Sequence, residues 1–451
     1  MFRHDYSPSM AKPSTRHKSS LSAAWLFLTG AFVALLLVWS FSAFSSSSQR
    51  FDTLSESKSA TDRKQGRCDM GAVNLQYDPP NETFYDDPRL SYTVGNKVEN
   101  WNQKRKEWFK HHPSFAAGAA ERIVMVTGSQ PSPCKNPIGD HLLLRTFKNK
   151  VDYCRIHGYD IFYNSVLLHP KMNSYWAKIP IVKAGMLAHP EAEWIWWVDS
   201  DALVTDMEFK LPLHRYKNHN VVVHGWPGMI YENKSWTSLN AGVFLIRNCQ
   251  WSMDFLETWA NMGPISPDFS KWGPIQRSIF KDKLFPESDD QTALIYLLYK
   301  EKEKYYDNIY LEGEFDFESY WVGVLPTYDN MTEQYIEIDR RSPTLRRRHA
   351  EKVSEFYGAE REKYLKAAGN GRGSWRRPFI THFTGCQPCS GNHNPMYSGE
   401  ACWKGMVKAL NFADNQVLRK YGFVHPNLRD SSLVSPVPFD YPVPNEDGPW
   451  G

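Results

Sequence analysis

The sequence lacks an excess of charge of either sign. Its 53 lysine and arginine residues nearly balance 50 aspartate and glutamate residues, so the formal net charge is only +3. This balance gives no electrostatic reason to expect a nucleic-acid partner. No internal repeat is evident either, which excludes a repeat architecture. With 451 residues, 41% of them hydrophobic, the chain can bury a large core as one large domain or two fused halves.

A second Cys-x-x-Cys motif is also missing. The motif from Cys386 to Cys389 therefore has no partner motif with which to build a zinc site. We favour structural disulfide bonding for these cysteines over metal binding or a redox role. The chain has seven cysteines, an odd number, so at least one is unpaired or paired between chains.

One hydrophobic run is long enough to cross a bilayer as a helix. Residues 22–44 contain no charged residue. Four basic residues precede the run, which predicts that the short N-terminus stays cytoplasmic. A cleaved signal peptide is the alternative, but the run is too long and starts too late for one. The remaining chain would then be lumenal, where three glycosylation motifs lie, at Asn81, Asn233 and Asn330.

These features divide the chain into five regions. We predict a cytoplasmic tail at 1–21, a transmembrane signal-anchor helix at 22–44, a Ser-rich lumenal stem at 45–80, a folded domain at 81–430 and a Pro-rich tail at 431–451. The segment up to about residue 120 is charged and aromatic without clear periodicity. We expect it to pack on the domain as a lead-in.

Short apolar runs alternate with helical patterns from residue 121 onward. This alternation predicts an α/β fold with a mostly parallel sheet covered on both faces. In such sheets ligands bind outside the carboxyl ends of the strands. The predicted strands are 122–127, 159–163, 194–198, 220–224 and 241–246. The predicted helices are 139–157, 175–189, 251–262 and 289–302.

Two carboxylates follow the third of these strands, which is apolar on both faces. Asp199 and Asp201 lie two residues apart where the run Trp194 to Val198 ends, so both can turn toward one cation. Carboxylate oxygens suit Mg²⁺ or Mn²⁺, which can bridge a pyrophosphate and act as a Lewis acid on a departing diphosphate. Asp-x-Asp triplets are common in loops without function, but the position at the end of a buried strand favours a metal site.

Three further groups are candidates with a plain structural alternative. Residues 127–129, Thr-Gly-Ser, follow the first strand, where a nucleotide cradle and an ordinary strand-to-loop turn are equally compatible with the sequence. Residues 289–291, Asp-Asp-Gln, begin a helix, where acidic residues often serve only as caps. His382 ends another apolar stretch, and a lone histidine is more often structural than a ligand.

Several motifs together resemble the plant glycosyltransferases that attach α-1,6 side chains to cell-wall hemicelluloses. That family contains galactomannan galactosyltransferases and xyloglucan xylosyltransferases, and the resemblance covers roughly residues 75–425. The motifs are Val-Thr-Gly-Ser at 126–129, Asn-Pro-Ile-Gly-Asp-His at 136–141, Lys-Asn-Lys-Val-Asp-Tyr-Cys at 148–154, Tyr-Trp-Ala-Lys at 175–178, the run 193–201, Asp-Asp-Gln at 289–291 and His-Phe-Thr-Gly-Cys at 382–386.

The resemblance implies a GT-A (Rossmann-like) nucleotide-diphospho-sugar transferase fold on a single N-terminal transmembrane anchor. It also implies a UDP-sugar donor and Mn²⁺, with Asp199, Asp201 and His382 as the metal ligands. The nucleotide-sugar donor would be bound by Thr127, Gly128, Ser129, Lys178 and Ser200. The residues expected beside the reacting sugar are Asp289, Asp290, Gln291 and Asn240.

Enzymes of this family retain the anomeric configuration of the transferred sugar. One conceivable route uses a carboxylate nucleophile and a covalent intermediate. In the other route the acceptor hydroxyl attacks on the face that the diphosphate leaves, and a phosphate oxygen takes the proton. We favour the second route, with Asp290 stabilising positive charge on the sugar ring and Gln291 positioning the ring.

Two departures from the xylosyltransferase pattern favour the galactomannan branch. Asn240 is followed by Ala241, where xylosyltransferases tend to have Thr, and Gln387 stands where they tend to have Lys. A lysine at that position could pair with a diphosphate, whereas glutamine supplies no charge.

The sequence therefore predicts a retaining, type II Golgi galactosyltransferase that uses UDP-galactose. It would modify O6 of backbone sugars in mannan or galactoglucomannan, a β-1,4-linked polysaccharide acceptor. The alternatives are a xyloglucan α-1,6-xylosyltransferase that uses UDP-xylose, and a non-catalytic Golgi scaffold for a related transferase. Its expected partners are the Golgi membrane and related glycosyltransferases in homo- or hetero-oligomers, and no nucleic acid.

Overall fold

The computed structural model describes residues 84–346, 351, 354–370 and 373–438. The predicted cytoplasmic tail, transmembrane anchor and stem, together with Asn81 and the tail beyond residue 438, lie outside these residues. No helix within the described ranges is both long and apolar enough to span a membrane.

The described chain forms an α/β domain with a central six-stranded sheet in the order β2-β1-β3-β6-β5-β7. The strands are Ile123–Gly128 (β1), Asp160–Asn164 (β2), Trp194–Val198 (β3), Ala202–Val204 (β4), Val221–Gly225 (β5), Leu239–Arg247 (β6), Ile309–Glu312 (β7), Ser319–Tyr320 (β8), Ile380–His382 (β9), Phe423–Val424 (β10) and Ser435–Pro436 (β11).

Helices cover both faces of this sheet. They are Trp101–His111 (α1), Gly139–His157 (α2), Lys178–Ala188 (α3), Leu213–Tyr216 (α4), Pro227–Tyr231 (α5), Gln250–Ala260 (α6), Phe269–Ile279 (α7), Asp290–Lys300 (α8), Lys302–Tyr305 (α9), Trp321–Val324 (α10), Tyr328–Arg341 (α11), Pro343–Arg346 (α12), Ser354–Leu365 (α13) and Gly399–Leu418 (α14). The predicted alternation of strands and helices is confirmed.

The sheet is mixed, because β6 runs antiparallel to its neighbours β3 and β5. The other pairs, β1 with β2, β1 with β3 and β5 with β7, are parallel. The expectation of a mostly parallel sheet is thus corrected at one strand. The reversal brings the beginning of β6 to the same edge as the ends of β1, β3 and β5.

Strand β3 is buried on both faces, which explains its continuous apolar sequence. Ile195 and Trp197 belong to the core under α3, α6 and α8. Trp194, Trp196 and Val198 belong to the core on the opposite face, under α2 and α14. Burial of each large apolar side chain stabilises the fold by about 1.5–3 kcal/mol. Strand β3 is therefore firmly packed and holds the start of the following segment in place.

A second sheet joins distant parts of the chain in the order β4-β9-β8. Strand β9 pairs antiparallel with β4, with His382 opposite Ala202. It pairs parallel with β8, with His382 opposite Tyr320. This short sheet therefore brings His382, from the C-terminal part of the domain, close to the end of β3.

Two disulfides cross-link the domain, between Cys134 and Cys389 and between Cys386 and Cys402. The preference for disulfide bonding over metal is confirmed for the Cys-x-x-Cys motif, although its two cysteines bond to different partners. Cys154 and Cys249 are free cysteines within the described ranges.

The lead-in before β1 packs on the domain, as expected. The buried Lys183 of α3 donates hydrogen bonds to the carbonyls of Thr93 and Asn96, at 2.7 and 2.6 Å, and pairs with Glu257 at 2.6 Å. The indole of Trp101, fully buried, donates to the side chain of Asn248 at 2.6 Å.

Candidate active site

A cavity of about 670 Å³ opens at the edge where β1 and β3 end and β6 begins. Its volume is within the range of pockets that bind small-molecule ligands. Because β6 is antiparallel to β3, Asn240 near its start lines the same cavity as the aspartates that follow β3. The cavity thus forms where an α/β sheet is expected to bind a ligand.

Asp199, Asp201 and His382 lie together in this cavity, with one potential ligand atom from each within 4.8 Å of the others. His382 Nε2 lies 3.2 Å from Asp201 Oδ1 and 3.9 Å from Asp199 Oδ2. The β4–β9 ladder explains the meeting, since it sets His382 opposite Ala202, the residue after Asp201. The backbone N–H of Asp199 donates to the carbonyl of Gly242 at 2.8 Å, which anchors the Asp199 backbone to β6. The indole N–H of Trp197 donates to Asp199 Oδ1 at 2.6 Å and so holds the carboxylate itself.

The three side chains fit a divalent cation. Two carboxylates and one imidazole form a mixed oxygen and nitrogen set suited to a first-row divalent ion. Gly242 leaves the space free, because an added Cβ there would overlap the ring of His382 and lie 2.7 Å from Asp199 Oδ2. On the other side of the ring, Glu318 Oε1 lies 3.3 Å from His382 Nδ1. A carboxylate at the far nitrogen is the usual support of a metal-binding histidine.

The charges around His382 govern its protonation. Burial lowers the pKa of His382, but the negative charges of Asp201 and Glu318 outweigh burial and raise it to about 10. Without a cation the ring is therefore a protonated partner of the carboxylates. A bound cation requires neutral imidazole and would replace the proton on Nε2.

Lys178 connects this cluster to Asp290. It begins α3 and is buried, and its Nζ lies 2.7 Å from Asp290 Oδ2 and 3.4 Å from Asp199 Oδ1. Nζ also donates to the carbonyl of Ala241 at 2.9 Å. Burial lowers the pKa of Lys178, but the two carboxylates raise it above its usual value, so the amine stays protonated. Burial raises the pKa of Asp290 to about 6, against the opposing effect of Lys178.

Gln291 and Asn240 line the cavity beside Asp290. Gln291 accepts from the backbone N–H of Ala241 at 3.3 Å and donates to the carbonyl of Trp236 at 3.0 Å. The side chain of Asn240 accepts from the backbone N–H of Gly242 at 2.7 Å. Both amides are therefore held in place by the backbone around the start of β6.

The wall beyond β1 contains three of the residues expected at the nucleotide. Gly128, Ser129 and Ser200 line the cavity. Gly128 must be glycine, because an added Cβ would overlap the backbone carbonyl of Asn164 on β2. Thr127 is fully buried behind these residues and does not reach the cavity surface.

Asp289, like Thr127, is an expected site residue that does not line the cavity. Its side chain caps α8, accepting from the backbone N–H of Thr292 at 2.7 Å, and it pairs with the buried Lys283. Asp290 lines the cavity, whereas Asp289 does not. The capping alternative describes the contacts of the Asp289 carboxylate.

Gly242 and Glu318 are site residues that sequence reasoning missed. Gly242 lies inside a predicted buried strand, where a glycine gives no indication of what faces it. Glu318 precedes β8, a strand of only two residues. No motif surrounds it, and only the pairing of β8 with β9 brings it to His382.

The fold and site define an α/β enzyme with a candidate divalent-metal cluster in a cleft at the sheet edge. The chain belongs to the galactosyl transferase GMA12/MNN10 family, whose sequence profile matches residues 119–393. It is accordingly a glycosyltransferase.

Three relatives show how far the likeness extends. Glycosyltransferase 6 of Arabidopsis thaliana is 65% identical over 437 residues, which cover 96% of this chain and 99% of the relative. Galactomannan galactosyltransferase 1 of Cyamopsis tetragonoloba is 58% identical over 441 residues, 96% of this chain and 100% of the relative. A probable xyloglucan 6-xylosyltransferase 3 of Arabidopsis thaliana is 44% identical over 353 residues, 78% of this chain and 69% of the relative.

Proposed function

We propose that the protein is a plant hemicellulose transferase that moves α-galactose from UDP-galactose to O6 of backbone sugars in mannan or galactoglucomannan. The single observation that carries this proposal is a continuous series of side-chain contacts within one cleft. The series runs through Asp201, His382, Asp199, Lys178 and Asp290. A cation-binding cluster at one end and a buried carboxylate at the other suit a substrate with a diphosphate beside a reacting sugar.

The choice of galactose rests on the relatives and on two positions in the cleft. The galactomannan galactosyltransferase is 58% identical along almost the whole chain, against 44% over a shorter segment for the xylosyltransferase. Ala241 and Gln387, which depart from the xylosyltransferase pattern, both line the cavity. Xyloglucan xylosyl transfer from UDP-xylose is the second candidate.

The cleft residues suit transfer with retention of configuration. When bound, Mn²⁺ would be held by Asp199, Asp201 and His382 in a GT-A arrangement and would neutralise charge on the leaving diphosphate. In the proposed step the bond from the sugar C1 to the diphosphate breaks, a bond from C1 to the acceptor O6 forms, and the hydroxyl proton passes to a phosphate oxygen. Asp290 stabilises positive charge on the ring. Its pairing with Lys178 makes it a poor nucleophile, which supports this route over a covalent intermediate.

The proposed location is the Golgi membrane, with residues 22–44 as a type II anchor and the catalytic domain in the lumen. Asn233 and Asn330 are exposed, so both can accept a glycan. The two disulfides suit the oxidising environment of the secretory pathway. Association with copies of itself or with related transferases belongs to the same proposal.

Transfer assays with the full-length protein in membranes test the proposal. UDP-galactose and UDP-xylose are offered with mannan and β-glucan oligosaccharides in the presence of Mn²⁺. We expect galactosyl transfer to mannan oligosaccharides, lost in Asp199→Ala. Xylosyl transfer to β-glucan would establish the second candidate. Turnover of neither donor, with retained binding to a related transferase, would establish a non-catalytic scaffold.

A further inference from the structure

The cavity contains a lysine with no described partner. Among the described residues that line it, the lysines and arginines are Lys135 and Lys178 alone. Lys178 is committed to Asp199, Asp290 and the carbonyl of Ala241. Lys135 is exposed, and within the described ranges its side chain has neither an ion pair nor a hydrogen bond. Its charge is therefore available to a ligand.

The chain around Lys135 is fixed to the opposite cavity wall. The preceding residue, Cys134, is disulfide-bonded to Cys389. The following residue, Asn136, donates from its backbone N–H to the carbonyl of Cys389 at 2.9 Å and from its side chain to the carbonyl of Pro388 at 3.0 Å. The backbone at Lys135 is thus held from both sides.

The segment to which the Lys135 loop is fixed follows directly after His382 of the metal cluster in the sequence. Segments 128–135 and 384–390 both line the cavity, and the second begins two residues after His382. A ligand that binds at His382 and Asp201 and fills this cavity would therefore contact both segments. On the second segment, Gln387 is polar without charge.

The charges of the cleft leave a role for one more cation. Among the groups that line the cavity, Asp199, Asp201 and Asp290 contribute three negative charges and Lys178 contributes one positive charge. Behind the lining, Lys150 and Glu318 add one charge of each sign beside the cluster, and these two cancel. One divalent ion then balances the remainder, so an entering diphosphate brings negative charge that these groups do not compensate. Lys135 is the described cavity residue that can compensate it.

We propose that Lys135 binds the diphosphate of the nucleotide-sugar donor and supplies the positive charge that Gln387 lacks. The inference rests on the proposed function in one respect, the nucleotide diphosphate as ligand. It adds a donor-binding residue from the loop after β1.

Binding of UDP and uridine to the full-length, detergent-purified protein with Mn²⁺ tests the inference by calorimetry. We expect Lys135→Met to weaken UDP binding about tenfold and to leave uridine binding unchanged, because only UDP carries the charge. The value of kcat/KM for the donor should fall by a similar factor. Lys135→Arg should retain most of the affinity, and adding Gln387→Lys to Lys135→Met should restore much of it.

Lys171→Met is the matched control, since Lys171 is an exposed loop lysine that does not line the cavity. It should bind UDP like the unaltered protein. Equal UDP affinity in Lys135→Met and the unaltered protein would overturn the inference, and so would an equal loss of UDP and uridine binding. Absence of UDP binding in the unaltered protein would instead refute the proposed function, and this inference with it.

Discussion

Lys178 and Asp290 form a buried ion pair whose amine also touches a residue of the metal cluster. Lys178→Met should destabilise the protein by about 3–5 kcal/mol, because it leaves buried carboxylates without a cation. Asp290→Asn should destabilise the protein less, because Asp199 still faces the Lys178 amine. Both variants should lose at least about 100-fold in transfer rate, an effect of more than about 2.7 kcal/mol on the activation barrier.

The double variant Lys178→Met/Asp290→Asn separates the structural role of this pair from its catalytic role. It should recover part of the stability lost in Lys178→Met while remaining inactive. Urea unfolding and transfer assays on the same preparations measure the two effects. A double variant that is no more stable than Lys178→Met would refute the ion-pair account.

Gly242→Ala should impair cation binding with little change in the fold. The new methyl group would lie where the His382 ring and Asp199 face the space for the ion. The expected result is a loss of Mn²⁺-dependent UDP binding. Gly323→Ala is the matched control, because a Cβ at Gly323 meets nothing within 4 Å. Mn²⁺-dependent UDP binding in Gly242→Ala equal to that of the control would contradict the placement of the site.

Glu318→Gln should weaken metal binding through His382. Loss of the carboxylate at Nδ1 removes the charge that orients and polarises the ring, which typically lowers metal affinity about 10–100-fold. A titration of activity against Mn²⁺ should show a shifted midpoint, with activity restored at high Mn²⁺. Glu314→Gln serves as the control, because Glu314 is an exposed partner of Arg215 in the same region. An unshifted midpoint would exclude a role for Glu318 in positioning.

Substitution of Asp289 should mainly reduce stability, whereas substitution of Asp290 should mainly reduce kcat. Asp289→Ala removes the cap of α8, at a typical cost of about 1 kcal/mol, and also leaves the buried Lys283 without its partner. We expect a clear loss of stability with kcat within a few fold of normal. Asp290→Asn should show mainly a loss of kcat. If Asp289→Ala folds stably but turns over no sugar, Asp289 acts in catalysis and our assignment is wrong.

The disulfide between Cys134 and Cys389 joins the two walls of the donor cavity. Cys134→Ser should raise the KM for the donor, because the two segments can separate, and should lower stability by about 2–5 kcal/mol. Cys249→Ser is the control, since Cys249 is a free cysteine. Donor kinetics and thermal unfolding of both variants measure these effects. An unchanged KM in Cys134→Ser would show that the disulfide does not hold the two segments in position for the donor.

The sequence predicts the regular elements of the central sheet well. The predicted strand 194–198 and helix 139–157 coincide with Trp194–Val198 and Gly139–His157. Both have strong periodic patterns that packing reinforces. The predicted helix 175–189 begins later, at Lys178, because Ser174–Ala177 form a 3-10 turn.

The hydrophobic pattern of the sequence does not indicate the direction of a strand or which distant strand it pairs with. A buried strand has the same apolar sequence whether it runs parallel or antiparallel, so the reversal of β6 was not visible. Strands β8 and β9 contain two and three residues, too few for any periodicity. Asp199 and Asp201 could be inferred from their position after β3, whereas His382 entered through the family resemblance and Glu318 gave no signal.

The attachment of the lead-in has a practical consequence for anyone who trims this protein for expression. The amine of the buried Lys183 is bound by the carbonyls of Thr93 and Asn96, together with Glu257. A version that starts at β1 would uncover that amine and the partner face of Asn248. The Phe84 ring also packs edge-on against the Trp101 ring. Truncation should therefore stop ahead of residue 84, even though the family profile matches only from residue 119.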